Sequence, residues 1–197
     1  LVVLIFLKAP SQDLHLKNLE QTVTKLEKKF ADQYFLAEKS KMLEEYKEAI
    51  QGYEKCIQLN PDQPSPYYQL AKIYLYVFNN IDEAEYYIKK ALLKESQNKW
   101  YHYELLAIDG LRGRQEEQIK TYLQLISIEP KNQIYYFNVI QLFKDLGRYK
   151  KAIRFLKKTE EKFGQSEEIL RELWLIYLKQ NDLKNAEKTA YKLIEKS

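Results

Sequence analysis

The fold is decided by the stretch EYKEAIQGYEKCIQLNPD, which spans residues 45–62. Its apolar side chains recur at steps of three and four residues as far as Ile57, which is the pattern of a helix that buries one stripe. Pro61 then ends the helix, because proline disfavours helical backbone in the residue before it. The stretch therefore predicts an amphipathic helix that is closed by a proline turn.

The same helix and turn recur about every 34 residues towards the C-terminus. The helix position of Ala49 recurs at spacings of 35, 34, 34 and 34 residues, in Ala84, Gln118, Ala152 and Ala186. The turn position of Pro61 recurs at spacings of 35, 34 and 34 residues, in Ser96, Pro130 and Gly164. Two series in register indicate a stacked array of helix-turn-helix units, because one pair of helices cannot bury its apolar face alone.

These recurring positions resemble the tetratricopeptide repeat, which places small and aromatic residues at fixed positions and ends in proline. In the first repeat the matching residues are Leu36, Ala37, Tyr46, Ala49, Tyr53, Cys56 and Pro61. The resemblance divides the chain into five repeats, over residues 30–63, 64–98, 99–132, 133–166 and 167–197. It implies an all-α fold in which the helix pairs form a right-handed solenoid.

Two departures from the repeat pattern carry structural expectations. The second repeat has one extra residue, which we place in the turn between Phe78 and Ile81. In the third repeat, Gln118 stands where a small residue normally lets the two helices approach each other. We therefore expect a looser, slightly splayed pair of helices in that repeat.

Another amphipathic helix precedes the repeats. Its apolar residues follow spacings of 3, 4, 3 and 4, and they are Leu16, Leu19, Val23, Leu26 and Phe30. We predict a cap helix over residues 12–29 that covers the open end of the solenoid. A coiled-coil or partner-binding seam is the alternative, although about two heptads make a short seam.

The chain starts with the apolar run LVVLIFL, residues 1–7, which is too short to cross a bilayer. The run matches the end of a secretory signal, with Ala9 and Ser11 as the small residues before a cleavage site. We therefore predict that residues 1–11 are a truncated signal segment and that the mature chain begins at Gln12. Membrane association is then expected only through the N-terminus. The alternative is a cytoplasmic protein whose apolar tail packs on the first repeat.

The overall composition is that of a mostly helical protein, because 45% of the 197 residues are hydrophobic, 30% are charged and only five are glycine. Its richness in tyrosine, lysine and asparagine resembles that of bacterial cell-envelope tetratricopeptide proteins, which favours the periplasm or cell envelope. The net charge of +4 is modest, and the basic residues at 150–158 favour a solvated helix face over nucleic-acid binding. Cys56 is the only cysteine, which excludes an intramolecular disulfide.

Catalytic and metal-binding motifs are absent from the sequence. The two histidines, His15 and His102, have no metal-ligand spacing, and there is neither a glycine-rich phosphate loop nor a Gly-x-Ser-x-Gly elbow. Carboxylates are abundant, but they interleave with lysines on the helix surfaces. We predict that the protein is not an enzyme and uses no cofactor, no metal and no small-molecule substrate.

The resemblance implies that the first helix of each repeat lines a concave, partner-binding groove. The predicted groove residues are aromatic, and they are Tyr34, Tyr68, Tyr76, Trp100, Tyr103 and Phe137. Packing of the rings against one another is the alternative, but an exposed tryptophan among tyrosines is typical of a binding hot spot. Co-chaperone members of this family bind a C-terminal carboxylate with basic residues, whereas the matching positions here include Glu38 and Glu104, which would repel that ligand.

These observations lead to one functional prediction and one alternative. We predict a non-catalytic scaffold or adaptor that binds a protein or peptide partner through the aromatic groove. The alternative is a helical-repeat protein that binds single-stranded RNA, because arrays with repeats of about this length include such proteins.

Overall fold

A computed structural model describes residues 10–196 of the chain, with side chains from Asn18 onward. Over these residues it contains ten α-helices and no β-strand, so the predicted all-α repeat fold is confirmed. The helices are α1 (Pro10–Met42), α2 (Tyr46–Leu59), α3 (Pro64–Lys72), α4 (Ile81–Lys94), α5 (Lys99–Leu111), α6 (Gln115–Ile128), α7 (Gln133–Asp145), α8 (Tyr149–Phe163), α9 (Glu167–Lys179) and α10 (Leu183–Ile194). A π-helical turn, Ile73–Val77, continues α3.

The helices follow the sequence period. The helices α3, α5, α7 and α9 begin at the residues where the second to fifth predicted repeats begin. The turn inside each repeat contains one residue with φ between 50° and 67°, and these residues are Glu44, Asn79, Gly113, Gly147 and Asn181. Glycine and asparagine adopt this left-handed backbone more readily than other residues. The turn residues thus form a third series with the same period.

The chain divides into two units between Glu104 and Leu105, within α5. In the first unit, α1 packs on α2, α2 on α3, and α3 on α4. The core there is formed by Ala37, Ala49, Tyr53, Leu70 and Ile73, all of them buried. The helices α1 and α2 approach closely at Gly52, because a Cβ atom at that residue would lie 2.7 Å from the Cβ of Ala37.

In the second unit, α7 packs on α8, α8 on α9, and α9 on α10. The core is formed by Ile140, Ala152, Leu156, Ile169, Leu173, Ile176, Tyr177 and Ala186. Gln118 is half-buried, and its Nε2 lies 3.2 Å from the point where a Cβ atom of residue 110 would stand. Gly110 therefore leaves room for the larger side chain from the facing helix, and the splaying of this pair stays a prediction.

The N-terminal helix differs from its prediction. We expected a cap helix over 12–29 that is separate from the first repeat, but α1 runs without a break through Met42. Residues 12–42 contain neither glycine nor proline, so nothing in the sequence interrupts the helix. Leu19, Val23 and Leu26 are about half exposed, so this stripe is only partly buried, and its role as a cap stays a prediction. The predicted signal segment lies outside the described residues up to Ala9, and Pro10 and Ser11 begin α1.

The extra residue of the second repeat does not lie in the turn where we placed it. The amide of Phe78 donates to the carbonyl oxygen of Ile73 at 3.2 Å, five residues back, which is the hydrogen bond of a π-helical turn. In the third repeat the amide of Arg114 reaches back five residues to Asp109 at 2.8 Å. In the second repeat the matching bond runs six residues, from Asn80 to Tyr74, at 2.8 Å. The insertion is therefore absorbed in the helix before the turn.

Candidate functional site

The first unit brings together five of the six predicted groove residues. Tyr34 lies on α1, Tyr68 on α3, Tyr76 in the π-helical turn, and Trp100 and Tyr103 on α5. We call these five residues the tyrosine face. Side-chain contacts join its helices, because the hydroxyl of Tyr34 accepts a hydrogen bond from Nε2 of Gln69 at 3.5 Å, and the Tyr68 ring lies 4.9 Å from the ring of Tyr101.

Phe137, the sixth predicted residue, belongs to the second unit. Its side chain is partly buried and packs against the core cluster around Ile140 and Leu156. Phe137 is therefore not counted in the tyrosine face, and its role in partner binding stays a prediction.

The tyrosine face is organised around the carboxylate of Glu104. The hydroxyl of Tyr76 donates to Oε2 of Glu104 at 2.5 Å, and the hydroxyl of Tyr68 donates to Oε1 at 3.4 Å. Burial and the nearby carboxylate raise the pKa of Tyr68 to about 12, and burial and the hydrogen bond to Glu104 raise the pKa of Tyr76 as well. Both hydroxyls are therefore protonated donors at neutral pH.

Glu104 is buried, with 9% of its surface exposed, and its hydrogen bonds in the described part of the chain come from tyrosine alone. Lys72 lies nearby, but its Nζ stands over the Tyr68 ring, 5.4 Å from the centroid, and is not ion-paired with the carboxylate. A buried carboxylate without a cationic partner is costly in free energy. The hydroxyl donors offset only part of this cost.

In two other repeats, a lysine donates the hydrogen bond at the position that corresponds to Tyr76. Nζ of Lys41 donates to Oε1 of Gln69 at 3.0 Å, and Nζ of Lys144 donates to Oε2 of Glu172 at 2.7 Å. Each of these pairs is separated by 28 residues, as is the pair of Tyr76 and Glu104. The three contacts are therefore equivalent in the repeat, and only the middle one joins a carboxylate to a neutral donor.

The π-helical turn explains why a tyrosine occupies the lysine position. Lys41 and Lys144 are the twelfth residues of their repeats, whereas the twelfth residue of the second repeat is Leu75, which is buried. The extra residue moves the contact to the thirteenth, Tyr76. Glu104 was not among the predicted site residues, although the recurring 28-residue spacing was a signal that could have identified it.

Glu38, the other glutamate of the predicted groove, is neutralised within the fold. Its carboxylate accepts hydrogen bonds from Nζ of Lys41 at 2.5 Å and from the hydroxyl of Tyr53 at 2.7 Å. Burial opposes ionisation of Glu38, but these hydrogen bonds outweigh it and lower its pKa. Of the two glutamates, only Glu104 therefore presents a charge that no lysine or arginine of the first unit's described side chains balances directly.

Two rings of the tyrosine face are open to solvent. The Trp100 side chain is 57% exposed and the Tyr76 side chain 63% exposed. The Trp100 ring makes an edge contact with Tyr103 at 5.6 Å, and Nζ of Lys99 lies 5.4 Å from its centroid. Exposed tryptophan and tyrosine that neighbouring side chains hold in place are the composition of an interface hot spot.

The described residues give no support to a metal centre, since they contain no group of three or more His, Cys, Asp or Glu that could hold a metal ion. His102 is buried, and its Nε2 lies 2.8 Å from the carbonyl oxygen of Ser96, which is a structural role. Between Pro10 and Lys196, no helix combines the length and the apolarity that crossing a bilayer requires.

Comparison with known proteins is consistent with this architecture. A family model described as TPR repeat, the tetratricopeptide repeat, matches residues 43–75. YrrB, described as a TPR protein with an unusual peptide-binding site, is 16% identical, with a TM-score of 0.56 over 83% of this chain and 84% of that chain. MamA from Desulfovibrio magneticus RS-1 is 15% identical, with a TM-score of 0.54 over 85% of this chain and 94% of that chain.

A longer protein matches over most of the chain as well. A chain of the Naa15/Naa10 complex bound to HypK-THB is 17% identical, with a TM-score of 0.68 over 88% of this chain and 27% of that chain. A search of curated proteins finds no match. At these identities the structural likenesses establish the fold.

Proposed function

Since the chain is a tetratricopeptide-repeat protein, we propose that it is a non-catalytic scaffold that binds a segment of a partner protein on the tyrosine face of its first unit. The observation that carries the proposal is the exposure of the Trp100 and Tyr76 side chains, together with the hydrogen bond that holds Tyr76 to Glu104. Large rings left open to water on a folded surface are typical of protein interaction sites.

The rings of the tyrosine face are held before any partner arrives. Tyr76 is tethered to Glu104 through its hydroxyl, and Tyr68 contacts both the ring of Tyr101 and the ammonium of Lys72. Binding then costs little side-chain entropy, because the contact groups already occupy fixed positions. This preorganisation supports a binding role over a purely structural one.

The similar structures favour a protein or peptide ligand. YrrB is described as having a peptide-binding site, and the Naa15/Naa10 structure holds HypK-THB. These statements concern those proteins, and they make a polypeptide the first ligand class to test here. The comparisons do not support the alternative of single-stranded RNA binding.

The test is selection of random linear peptides, displayed on phage, against the full chain. We expect peptides that bind the wild type and lose affinity for Trp100→Ala, while Ile134→Ala has little effect. Ile134 is a matched control, because it holds the same position in its repeat as Trp100 and is 66% exposed. Failure to enrich any peptide, or equal losses in both variants, would contradict the proposal.

A labelled oligouridine serves as the RNA arm of the same test. Binding of RNA through phosphate contacts weakens steeply as salt increases, because counterions are released on association. We expect no salt-sensitive RNA binding by the wild type. Tight, salt-sensitive binding of the oligouridine would instead favour the RNA alternative.

We also propose export to the periplasm or cell envelope. The support is the apolar run at residues 1–7 followed by Ala9 and Ser11. N-terminal sequencing of the native protein tests it, and we expect the mature chain to begin at Gln12. A native protein that retains Leu1 and fractionates with the cytoplasm would contradict export.

A further inference from the structure

We propose that the tyrosine face selects a partner segment carrying an arginine or lysine side chain, whose positive charge is placed beside Glu104. This inference rests on the proposed function and specifies its ligand. The preference follows from the charge on the face, because a carboxylate repels anionic ligands and attracts cationic ones.

No lysine or arginine among the first unit's side chains from Asn18 onward is paired with Glu104. Glu104 is buried against two tyrosine hydroxyls, and the equivalent carboxylate, Glu172, is paired with Lys144 at 2.7 Å. The repeat geometry therefore allows an internal lysine at this position, and the first unit has Tyr76 there instead. A cation from a partner can supply the charge that Lys144 supplies in the second unit.

The carboxylate also retains capacity to accept hydrogen bonds. Oε2 of Glu104 accepts a short hydrogen bond from Tyr76, whereas Oε1 accepts only the long bond of 3.4 Å from Tyr68. A carboxylate has about four lone-pair sites for hydrogen bonds. Oε1 thus keeps lone pairs for an ammonium or guanidinium donor, and charge-assisted bonds of this kind are about twice as strong as neutral ones.

Aromatic residues neighbour Glu104. Trp100 stands four residues before Glu104 on α5, and residues four apart are neighbours on a helix surface. The exposed rings of Trp100 and Tyr76 are suited to cation–π contacts, for which tryptophan is the best side chain. Carboxylate and rings together favour a cationic side chain over a neutral polar one.

The remaining charges of the face do not cancel this preference. Glu38 and Lys41 neutralise each other on α1. Lys72 on α3 and Lys99 on α5 are already placed over rings, Lys72 over Tyr68 and Lys99 over Trp100. Lys72 is the cation placed over a ring that donates to Glu104, so its removal should strengthen the binding of a basic peptide.

The experiment starts from the peptides selected on the wild-type chain. We expect one position to be enriched in arginine or lysine, and replacing that residue by glutamine should weaken binding by about 30-fold or more, as for a buried charge pair. Glu104→Gln should cause a similar loss, and the two changes together should cause little further loss. Arginine and lysine versions of each peptide then identify which cation is preferred.

Tyr76→Lys provides a second variant, which keeps the carboxylate of Glu104 and exchanges its hydroxyl donor for an ammonium donor. It places an internal cation at the position of Lys144 and also removes the Tyr76 ring. The glutamine version of the peptide reports the loss of the ring alone, and the basic peptide should weaken by about tenfold or more beyond that loss. Lys72→Met should act in the opposite direction and tighten the basic peptide. Circular dichroism confirms that each variant keeps the helical fold.

The outcomes separate the two proposals. The inference is wrong, and the binding function stands, if peptides bind through Trp100 but no basic position is enriched. The same holds if replacing the basic peptide residue by glutamine weakens binding to the wild type and to Glu104→Gln equally. If no peptide is enriched at all, the proposed function is wrong and the inference falls with it. Both proposals are supported if the losses of affinity do not add when the basic peptide residue and Glu104 are changed together.

Discussion

The contact of Tyr76 with Glu104 in the first unit and the contact of Lys144 with Glu172 in the second unit occupy one register position of the repeat. Both join residues 28 apart, at 2.5 Å and 2.7 Å. The repeat backbone thus determines which positions meet, whereas the side chains at those positions determine whether the charge is balanced internally. Among the described side chains, the first unit keeps a carboxylate without a cationic partner next to an exposed ring, and the proposal that the first unit binds the partner rests on this difference.

The largest expected effect concerns partner binding. Trp100→Ala should weaken capture of a selected peptide by about 2 kcal/mol or more, because truncation of a central aromatic residue removes most of a hot spot. Ile134→Ala, at the same repeat position and similarly exposed, should change affinity by less than about 0.5 kcal/mol. Isothermal titration of both variants against the same peptide measures the difference. Comparable losses would show that the two units share the binding role.

The second effect concerns how closely the helices pack in the two units. Gly52→Ala in the first unit brings a methyl group within 2.7 Å of the Cβ of Ala37 and within 3.1 Å of its Cα, and backbone cannot move aside cheaply. We expect a loss of about 1–3 kcal/mol in the free energy of unfolding, as for overpacking in general. Urea denaturation of the full chain provides the measurement.

Gly110→Ala in the second unit is the matched control. The nearest neighbour of its new methyl group is Nε2 of Gln118 at 3.2 Å, which is the flexible end of a side chain. Since alanine is a better helix former than glycine, we expect no loss and a gain of up to about 1 kcal/mol. A loss as large as that of Gly52→Ala would mean that the close approach is not specific to the first unit.

The third effect tests the two equivalent contacts directly. Tyr76→Phe leaves Oε2 of the buried Glu104 without its donor, which should cost about 1–2 kcal/mol of stability. Lys144→Met should cost about 1 kcal/mol or less, because the side chains of Lys144 and Glu172 are 21% and 25% exposed and water can replace the lost partner. Hydrogen exchange assigns each loss to its unit. A larger loss for Lys144→Met than for Tyr76→Phe would contradict the expectation that the more deeply buried contact contributes more to stability.

Much of the fold could be predicted from the sequence, because the close approach of helices and the turns between them each require particular residue types at fixed positions of the repeat. Buried alanines at Ala49, Ala84, Ala152 and Ala186 recur where helices approach, and turn residues recur where helices end. These requirements act locally, so a spacing of about 34 residues identifies them. The continuous α1 was not foreseen, because the apolar stripe before residue 30 indicated a separate element and no sequence signal marks the absence of a break.

The sequence analysis named the rings of the proposed site but not its charge. Tyr68, Tyr76 and Trp100 were identified by position, whereas Glu104 was considered only as a residue that repels anions. Its pairing with Tyr76 depends on the π-helical turn, which shifts the contact by one residue within the repeat. Sequence periodicity reveals that one residue has been inserted, but the location of the insertion depends on which hydrogen bonds the helix rearranges.

The smallest expected effect is a pH dependence that contrasts Glu38 in the first unit with Asp182 in the second. Hydrogen bonds from Lys41 and Tyr53 outweigh burial and lower the pKa of Glu38, and hydrogen bonds from Asn185 lower the pKa of Asp182. A carboxyl group whose pKa is lower in the folded chain contributes stability at neutral pH and loses it as pH falls through the folded-state pKa.

The carboxylate of Glu38 should therefore stabilise the fold at pH 7 and cease to do so progressively below its ordinary pKa of 4.5. Glu38→Gln should remove this component, so that the difference in urea midpoint between wild type and variant shrinks as the pH is lowered. We expect about 1 kcal/mol or less at neutral pH, since the pair with Lys41 is partly exposed. Asp182→Asn, at a fully solvated helix start, should show a weaker dependence on pH. A difference between wild type and Glu38→Gln that stays constant from neutral to acidic pH would show that the contacts of Glu38 act through packing alone and that its charge does not stabilise the first unit.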